Sequence, residues 1–96
     1  MSEACEFVVI CFDIADDRRR RHAVRVLEAF GWRAQESTFE SWLNVADLRR
    51  LKHQLDAVID ATEDRVAIYV LSPTDKADVV SLGRGLPTED FRNAVL

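Results

Sequence analysis

Asp13 is the residue of this sequence whose position most directly suggests chemistry. It follows an apolar run, residues 7–12, and a carboxylate in such a place is costly to bury unless it is paired or bound to a cation. Hard divalent cations bind through one or two carboxylates together with water and phosphate oxygens, so a single Asp is a candidate ligand if a symmetric copy supplies a second. The alternative is a turn residue that caps the following backbone, and position alone favours that role.

Basic residues are concentrated in the middle of the chain. The net charge of −4 disfavours a nucleic-acid partner, because phosphate contacts come from Lys and Arg. Between residues 18 and 53, however, nine basic residues stand against four acids. The distribution predicts either a basic surface for a polyanion or two solvated helix faces, and charge alone does not separate them. The nine are Arg18, Arg19, Arg20, Arg21, Arg25, Arg33, Arg49, Arg50 and Lys52.

The run of four arginines at residues 18–21 falls in the first turn of a predicted helix. The helix macrodipole disfavours cations there, so the run favours a use such as phosphate binding. Consecutive residues fan around the helix axis, and only one or two of the four can face the same ligand. His22 has no companion acid at a suitable spacing and is predicted to be a solvated helix residue.

Ser37 and Phe39 share one face of a predicted strand, with Arg33 shortly before them. A serine nucleophile needs an adjacent base, and the sequence places none, so Ser37 is predicted to be a polar contact. Phe39 is either a core residue, which the pattern favours, or a platform on which a nucleobase stacks.

The elements that would position these residues alternate between strand and helix patterns. Asp16 or Asp17 is predicted to cap the first helix, and Gly31 to end it as a left-handed residue beyond the C-cap. Asn44 is predicted to cap the second helix, with Asp47 completing a variant of the capping box. The predicted strands are residues 7–12, 66–71 and a short last one at 78–82, with residues 32–35 and 37–43 forming two short strands or one bent hairpin. The predicted helices are residues 17–30 and 45–61.

This order, β-α-β-β-α-β with an extra C-terminal strand, predicts an α+β fold of the ferredoxin-like type. We expect one domain over residues 1–83 and a loosely ordered tail over residues 84–96. Right-handed crossovers put both helices on one face of the sheet, yet the first and late strands are apolar on both faces. With no residues left to cover the second face, we expect a homodimer, sheet against sheet, with the extra strand reaching across.

Other features of the sequence limit the location of the protein. Its longest apolar runs fall far short of the roughly 20 residues that a membrane span needs. The N-terminal residues are acidic and lead into a strand, which argues against a signal peptide and for a cytoplasmic protein. Cys5 and Cys11 lack the spacing of a zinc site and are predicted to be reduced packing residues.

Four short segments occur in the order and spacing of a known family. Together they resemble the CRISPR-associated Cas2 family over nearly the whole chain, up to about Gly83. The segments are Phe-Asp-Ile-Ala-Asp-Asp at residues 12–17 before an Arg-rich helix, Arg-Ala-Gln-Glu-Ser-Thr-Phe-Glu at 33–40, Asp-Arg-Val-Ala-Ile-Tyr at 64–69, and Leu-Gly at 82–83.

The resemblance implies a ferredoxin-like homodimer whose C-terminal strand crosses to the partner. It implies a phosphodiesterase that depends on Mg²⁺ or another divalent cation such as Mn²⁺ and acts on single-stranded RNA or duplex DNA. It also implies a structural role with the Cas1 integrase in spacer acquisition. The family's metal carboxylate falls on Asp13, and its other site residues fall on Arg20, Arg33, Ser37 and Phe39.

Three positions depart from the pattern of the family. Phe12 replaces the usual tyrosine, His22 replaces a second basic helix residue, and Ala67 replaces an arginine common in the late strand. The expected function is therefore a metal-dependent endonuclease, with a non-catalytic adaptor that bridges Cas1 dimers and holds duplex DNA as the main alternative. A small-molecule-binding regulator of the same fold would not need the clustered basic residues.

Overall fold

A four-stranded antiparallel sheet organises the part of the chain that the computed structural model describes, residues 4–83. The strands lie in the order β2-β3-β1-β4. The α+β class and the ferredoxin-like order of elements are thereby confirmed. The elements are β1 (Glu6–Asp13), α1 (Asp17–Glu28), β2 (Trp32–Gln35), β3 (Thr38–Leu43), α2 (Val45–Val58), β4 (Arg65–Leu71) and α3 (Pro73–Ala77).

The central strand β1 separates two apolar faces of the sheet. Val8, Ile10 and Phe12 point to the side of α1 and α2, where they join Leu27 and Leu51 in the buried core. The intervening side chains point to the opposite side, which we call the second face. It includes Phe7, Val9, Cys11 and Asp13 of β1 and their register partners Leu71, Tyr69, Ala67 and Arg65 of β4.

The caps of both long helices are set by local sequence. The Asp16 carboxylate accepts a hydrogen bond from the Arg19 amide, and the Asn44 side chain accepts one from the Asp47 amide. These contacts satisfy amides that have no partner within the helix. Asp16 and Asn44 are therefore the N-caps, as predicted.

The ends of both helices come earlier than predicted. Helix α1 ends at Glu28 rather than Phe30, and α2 ends at Val58 rather than near Ala61. Beyond α2 the chain enters a turn that is closed by hydrogen bonds from the amides of Glu63 and Asp64 to the Asp60 carbonyl. The residues after Val58 that the apolar periodicity had assigned to the helix therefore lead into this turn.

Gly31 has a packing role instead of the predicted left-handed one. The only positive φ within residues 4–83 belongs to Gly83. A Cβ on Gly31 would lie 2.1 Å from the Glu40 carbonyl oxygen and 2.7 Å from the Ser41 Cβ. The chain leaving α1 therefore runs against β3 so closely that only glycine fits.

The segment after β4 differs most from the prediction. It forms the short helix α3, which Ser72 caps through a bond from the Asp75 amide, and not a direct path to another strand. The Lys76 ammonium lies 5.0 Å from the centroid of the Phe7 ring, so α3 covers one end of the second face. The expectation that the chain has no residues left to cover that face was wrong at this end.

The predicted strand at residues 78–82 is not formed. Asp78 lies in a turn, residues 79–82 have no regular structure, and Val80 and Leu82 are largely exposed. A strand is stable only when its amides and carbonyls pair with a neighbour, and none of the four described strands pairs with this segment. Within residues 4–83, no helix has the length and apolar character that crossing a membrane requires.

The contact at Gly31 predicts the effect of adding one methyl group. Gly31→Ala should lower the free energy of unfolding by about 1–3 kcal/mol, because the neighbouring backbone of β3 must move. Urea denaturation at a fixed protein concentration measures this. Ala57→Ser, which adds one atom at an exposed position of α2, is the control and should stay within about 0.5 kcal/mol of wild type. Equal stability of Gly31→Ala and the control would contradict the close approach.

Candidate functional site

Asp13 is the last residue of β1 and its side chain is exposed. In the antiparallel register it stands opposite Arg65, the first residue of β4. Within residues 4–83 its carboxylate makes no hydrogen bond or ion pair, and the capping of α1 is done by Asp16. Asp13 is therefore not the turn-capping residue that its position favoured.

Asp13 opens into a cleft of about 440 Å³ between the turn that follows β1 and the turn that joins β2 to β3. Three of the five predicted site residues meet there: Asp13, Arg20 and Ser37. The full lining is Phe12, Asp13, Ile14, Arg20, Glu36 and Ser37. Ser37 lies in the turn between the strands, and its carbonyl accepts a hydrogen bond from the Phe12 amide at 3.0 Å.

Arg20 acts mainly on the backbone beside Asp13. Its Nε and Nη2 atoms donate to the Ile14 carbonyl at 3.3 and 2.9 Å, and its Nη1 pairs with the Asp17 carboxylate. A forked guanidinium fixes an acceptor more firmly than a single donor does. Arg20 therefore shapes the turn after Asp13 while forming one wall of the cleft.

Arg33 and Phe39 occupy different environments although both were predicted to belong to the site. Phe39 is 1% exposed and packs in the core, so a nucleobase cannot reach its ring. Arg33 is exposed, lies 5.8 Å from the centroid of that ring, and donates to the Glu36 carbonyl through Nε at 3.0 Å. The Phe39 ring thus packs beneath the Arg33 guanidinium. Its burial agrees with the role of a core residue and not with that of a platform for nucleobase stacking.

A groove on the surface of α1 continues from the cleft. Arg20 belongs to both, and Arg21, Arg25 and Arg33 add three further guanidinium groups to the groove. The lining is Asp17, Arg20, Arg21, Val24, Arg25, Glu28 and Arg33, and the groove measures about 330 Å³. Four cations against two acids, in a shallow groove, suit the phosphates of an extended polyanion. A separate basic surface on α2 is formed by Arg49, Arg50 and His53.

Sequence reasoning missed the buried contact that holds the two strand ends together. The Asp64 side chain is fully buried, and it accepts hydrogen bonds from the Ala15 amide at 3.0 Å and the Asp60 amide at 2.8 Å. Arg19 donates to it through Nε at 2.8 Å. The Arg19 guanidinium, with the two amides, holds the pKa of Asp64 well below its usual range.

Two features of the sequence relate to this contact, but they do not identify which residues form it. Asp64 directly precedes an apolar strand, and Arg19 belongs to a run of identical residues. Nothing local indicates which of the four arginines reaches a residue 45 positions away.

The described residues do not form a complete site for a divalent cation, although Asp13 and Glu36 both line the cleft. No group of three or more His, Cys, Asp or Glu side chains within residues 4–83 is placed to hold a metal. Asp13 fits such an ion in that its oxygens are exposed and have no internal partner. The remaining ligands would have to come from water, phosphate or a second copy of the chain.

Comparison with known proteins places these features in a family. Residues 6–79 match the family described as CRISPR associated protein Cas2. A protein of Chloroflexus aurantiacus named CRISPR-associated endoribonuclease Cas2 3 is 38% identical over 84 residues, covering 88% of this chain and 90% of the relative.

Two solved structures share the fold. The crystal structure of Streptococcus pyogenes Cas2 has a TM-score of 0.71 and 28% identity, covering 80% of this chain and 99% of that chain. A chain in the structure titled Partial Cas6-RT-Cas1–Cas2 complex has a TM-score of 0.70 and 29% identity, covering 86% of this chain and 96% of that one.

The lowered pKa of Asp64 predicts how stability depends on pH. At acid pH the Asp64 carboxyl binds a proton in the unfolded state more readily than in the folded state. Its contribution to stability is therefore complete above its unfolded-state pKa, near 3.9, and is lost as pH falls toward its folded-state pKa. Asp64→Asn should be less stable than wild type at pH 7 and should lose less stability between about pH 5 and pH 3. Urea denaturation across this range measures both slopes. Asp56→Asn, at an exposed position of α2, should keep the wild-type slope, and a wild-type slope in Asp64→Asn would contradict the assignment.

Proposed function

This chain belongs to the Cas2 family of CRISPR-associated proteins, and on that basis we propose that it is a cytoplasmic, divalent-metal-dependent endonuclease acting on single-stranded RNA or duplex DNA. The observation that carries the proposal is the Asp13 carboxylate, which is exposed, has no partner within residues 4–83, and opens into a cleft that continues as a groove of arginines. Relatives of the chain carry the name endoribonuclease, which supports the same class of reaction.

The proposed active form is a homodimer. Val9, Cys11 and Ala67 on the second face are only half-buried and Tyr69 is 53% exposed, while α3 covers only the end at Phe7. Strands with apolar residues on both faces are found where both faces are covered. A second copy packed sheet to sheet would cover this face, and Asp13 lies at its edge by register.

The dimer would supply what one chain lacks. Asp13 from each copy would hold one Mg²⁺ or Mn²⁺ ion, whose chemistry when bound is to polarise the scissile phosphate and lower the pKa of a water ligand. Arg21, Arg25 and Arg33 would bind backbone phosphates along the groove. Arg20 would keep the turn after Asp13 in position through the Ile14 carbonyl.

Ser37 has a secondary role in this proposal. It lines the cleft beside Asp13, and within residues 4–83 no side-chain base is hydrogen-bonded to it. It would therefore contact the substrate as a polar group and not attack it. The family position at Phe39 would act through Arg33, because the Phe39 ring itself is buried.

A second candidate function is a non-catalytic adaptor that bridges Cas1 dimers and holds duplex DNA. A similar chain is part of a complex whose title includes Cas1, which favours Cas1 as a partner. The arginine groove serves this role as well as it serves cleavage, because phosphate binding needs no metal. The two functions are compatible in one molecule.

Asp13→Asn tests the catalytic proposal. The amide preserves shape but lacks the charge that binds the cation, so we expect metal-dependent cleavage of RNA and duplex DNA to fall by roughly 100-fold or more. Cleavage of labelled oligonucleotides with and without Mg²⁺ or Mn²⁺ measures this. Asp56→Asn is the matched control and should cleave as wild type does. Unchanged cleavage by Asp13→Asn would refute the mechanism. If none of the three proteins cleaves but all bind duplex DNA with a steep salt dependence, the adaptor function is established.

Tyr69→Glu tests the dimer. It places a carboxylate on the second face in each copy, and burying such groups together should raise the dimer dissociation constant by roughly 100-fold or more. Analytical ultracentrifugation should find the wild type dimeric at micromolar concentration. Val45→Glu, at an exposed apolar position on the helical side, should remain dimeric. A monomeric wild type, or a Tyr69→Glu dimer of unchanged affinity, would contradict the proposed interface.

A further inference from the structure

Arg65 lies opposite Asp13 in the sheet. The sequence alone suggested no role for it. The register of β1 and β4 pairs the two directly, and side chains of directly paired residues lie on the same face, with Cβ atoms about 5 Å apart. Both side chains are exposed. The Arg65 side chain therefore begins beside that of Asp13, whose carboxylate the proposed function assigns to the metal.

The two opposite charges do not neutralise each other. Within residues 4–83 the ion pairs involve other groups, and neither Asp13 nor Arg65 forms a side-chain hydrogen bond or a contact of 4 Å or less between charged atoms. A cross-strand pair whose function was structural would be expected to close. Asp13 and Arg65 are thus an anion and a cation at paired positions of the sheet, each without an ion-pair partner within residues 4–83.

Asp13 and Arg65 are both exposed, and their neighbours on the second face do not crowd them. The next pair along the same face is Cys11 and Ala67, whose side chains are both small. On the other side the strands end. A phosphodiester that contacts a divalent cation through one oxygen can still accept charge-assisted hydrogen bonds from a guanidinium through the other.

The placement of the two charges is fixed by a buried contact. Asp64, directly before Arg65, binds the Ala15 amide two residues after Asp13 at 3.0 Å and the Arg19 guanidinium at 2.8 Å. The start of β4 and the end of β1 are therefore joined beyond the last ladder pair. Such a constraint suits a site whose two halves must keep their spacing.

We propose that Arg65 binds a phosphate of the nucleic-acid backbone in the same site as Asp13, so that the site of each chain combines a metal carboxylate with a phosphate-binding guanidinium. The metal half rests on the function proposed above, whereas the phosphate half is a property of Arg65 alone. In the proposed dimer the second face would carry two such pairs. Arg65 would act there in addition to the arginines of the α1 groove.

The experiment measures binding in the absence of cleavage. Fluorescence anisotropy of a labelled duplex DNA and a labelled single-stranded RNA, with EDTA present, gives the dissociation constant of the full-length protein at several salt concentrations. Arg65→Ala should weaken binding of at least one probe by about tenfold, since a charge-assisted contact is lost. For the duplex, the slope of log affinity against log salt should fall by about 0.9 for each phosphate contact removed.

Two variants control for charge and for folding. Lys52→Ala removes one positive charge from an exposed position of α2 that lines neither the cleft nor either basic groove, and it should change affinity much less. Arg65→Lys keeps the charge without the fork and should bind with intermediate affinity. Thermal melting should show all three variants folded, as expected for exposed side chains. If Arg65→Ala and Lys52→Ala bind both probes with the same affinity and salt slope, the proposal is overturned.

A Mg²⁺ titration with phosphorothioate probes, which keep the backbone charge and resist hydrolysis, separates this inference from the proposed function. Mg²⁺ should strengthen binding to wild type and Arg65→Ala by a similar factor, and it should have little effect on Asp13→Asn. An unaltered Mg²⁺ response in Asp13→Asn would remove the metal role of Asp13, and the loss of binding in Arg65→Ala under EDTA would still establish the phosphate contact.

Discussion

The geometry of the candidate site depends on the hydrogen bonds that the buried Asp64 carboxylate accepts. An ionised group without exposed surface is stable only if its oxygens are fully bonded, and here two backbone amides and the Arg19 guanidinium supply the bonds. One of those amides belongs to Ala15, in the turn after β1. The same few atoms therefore satisfy a buried charge and set the spacing between Asp13 and Arg65. Stability and site geometry have a common origin in this chain.

The arginine run at the start of α1 shows how one sequence feature divides into two uses. Arg19 turns inward to Asp64, and Arg20 holds the Ile14 carbonyl and pairs with Asp17. The other two arginines of the run are exposed. The inward pair offsets the unfavourable position of cations at a helix N-terminus, because each is neutralised by an acid nearby. A protein with a net negative charge can thus present a basic groove, because the local charge of a surface depends on where the arginines lie and not on the net charge.

Local patterns in the sequence predicted the parts of the fold that depend on near neighbours. The caps at Asp16 and Asn44, the strand positions and the ferredoxin-like order follow from spacing within a few residues. Two of the features that the sequence did not predict involve distant partners. Gly31 is required by a strand nine residues further along, and the Arg19–Asp64 contact spans 45 positions. Of the candidate site, Asp13 and Ser37, which the resemblance named, line one cleft, but the register that pairs Arg65 with Asp13 exists only in the folded sheet.

The aromatic cluster beneath α3 has a consequence for how the molecule can be observed. Both tryptophans pack around Phe7, with ring centroids 6.2 Å away for Trp32 and 5.2 Å for Trp42, on the face that α3 partly covers. Phe7 and Asp13 lie at opposite ends of β1, about 20 Å apart at the usual rise of a strand. Intrinsic fluorescence of this protein is therefore a built-in reporter of the packing around α3. The end of the sheet that carries Asp13 has no tryptophan, so a change in tryptophan emission when nucleic acid binds would mean that the second face, and not the cleft alone, has responded.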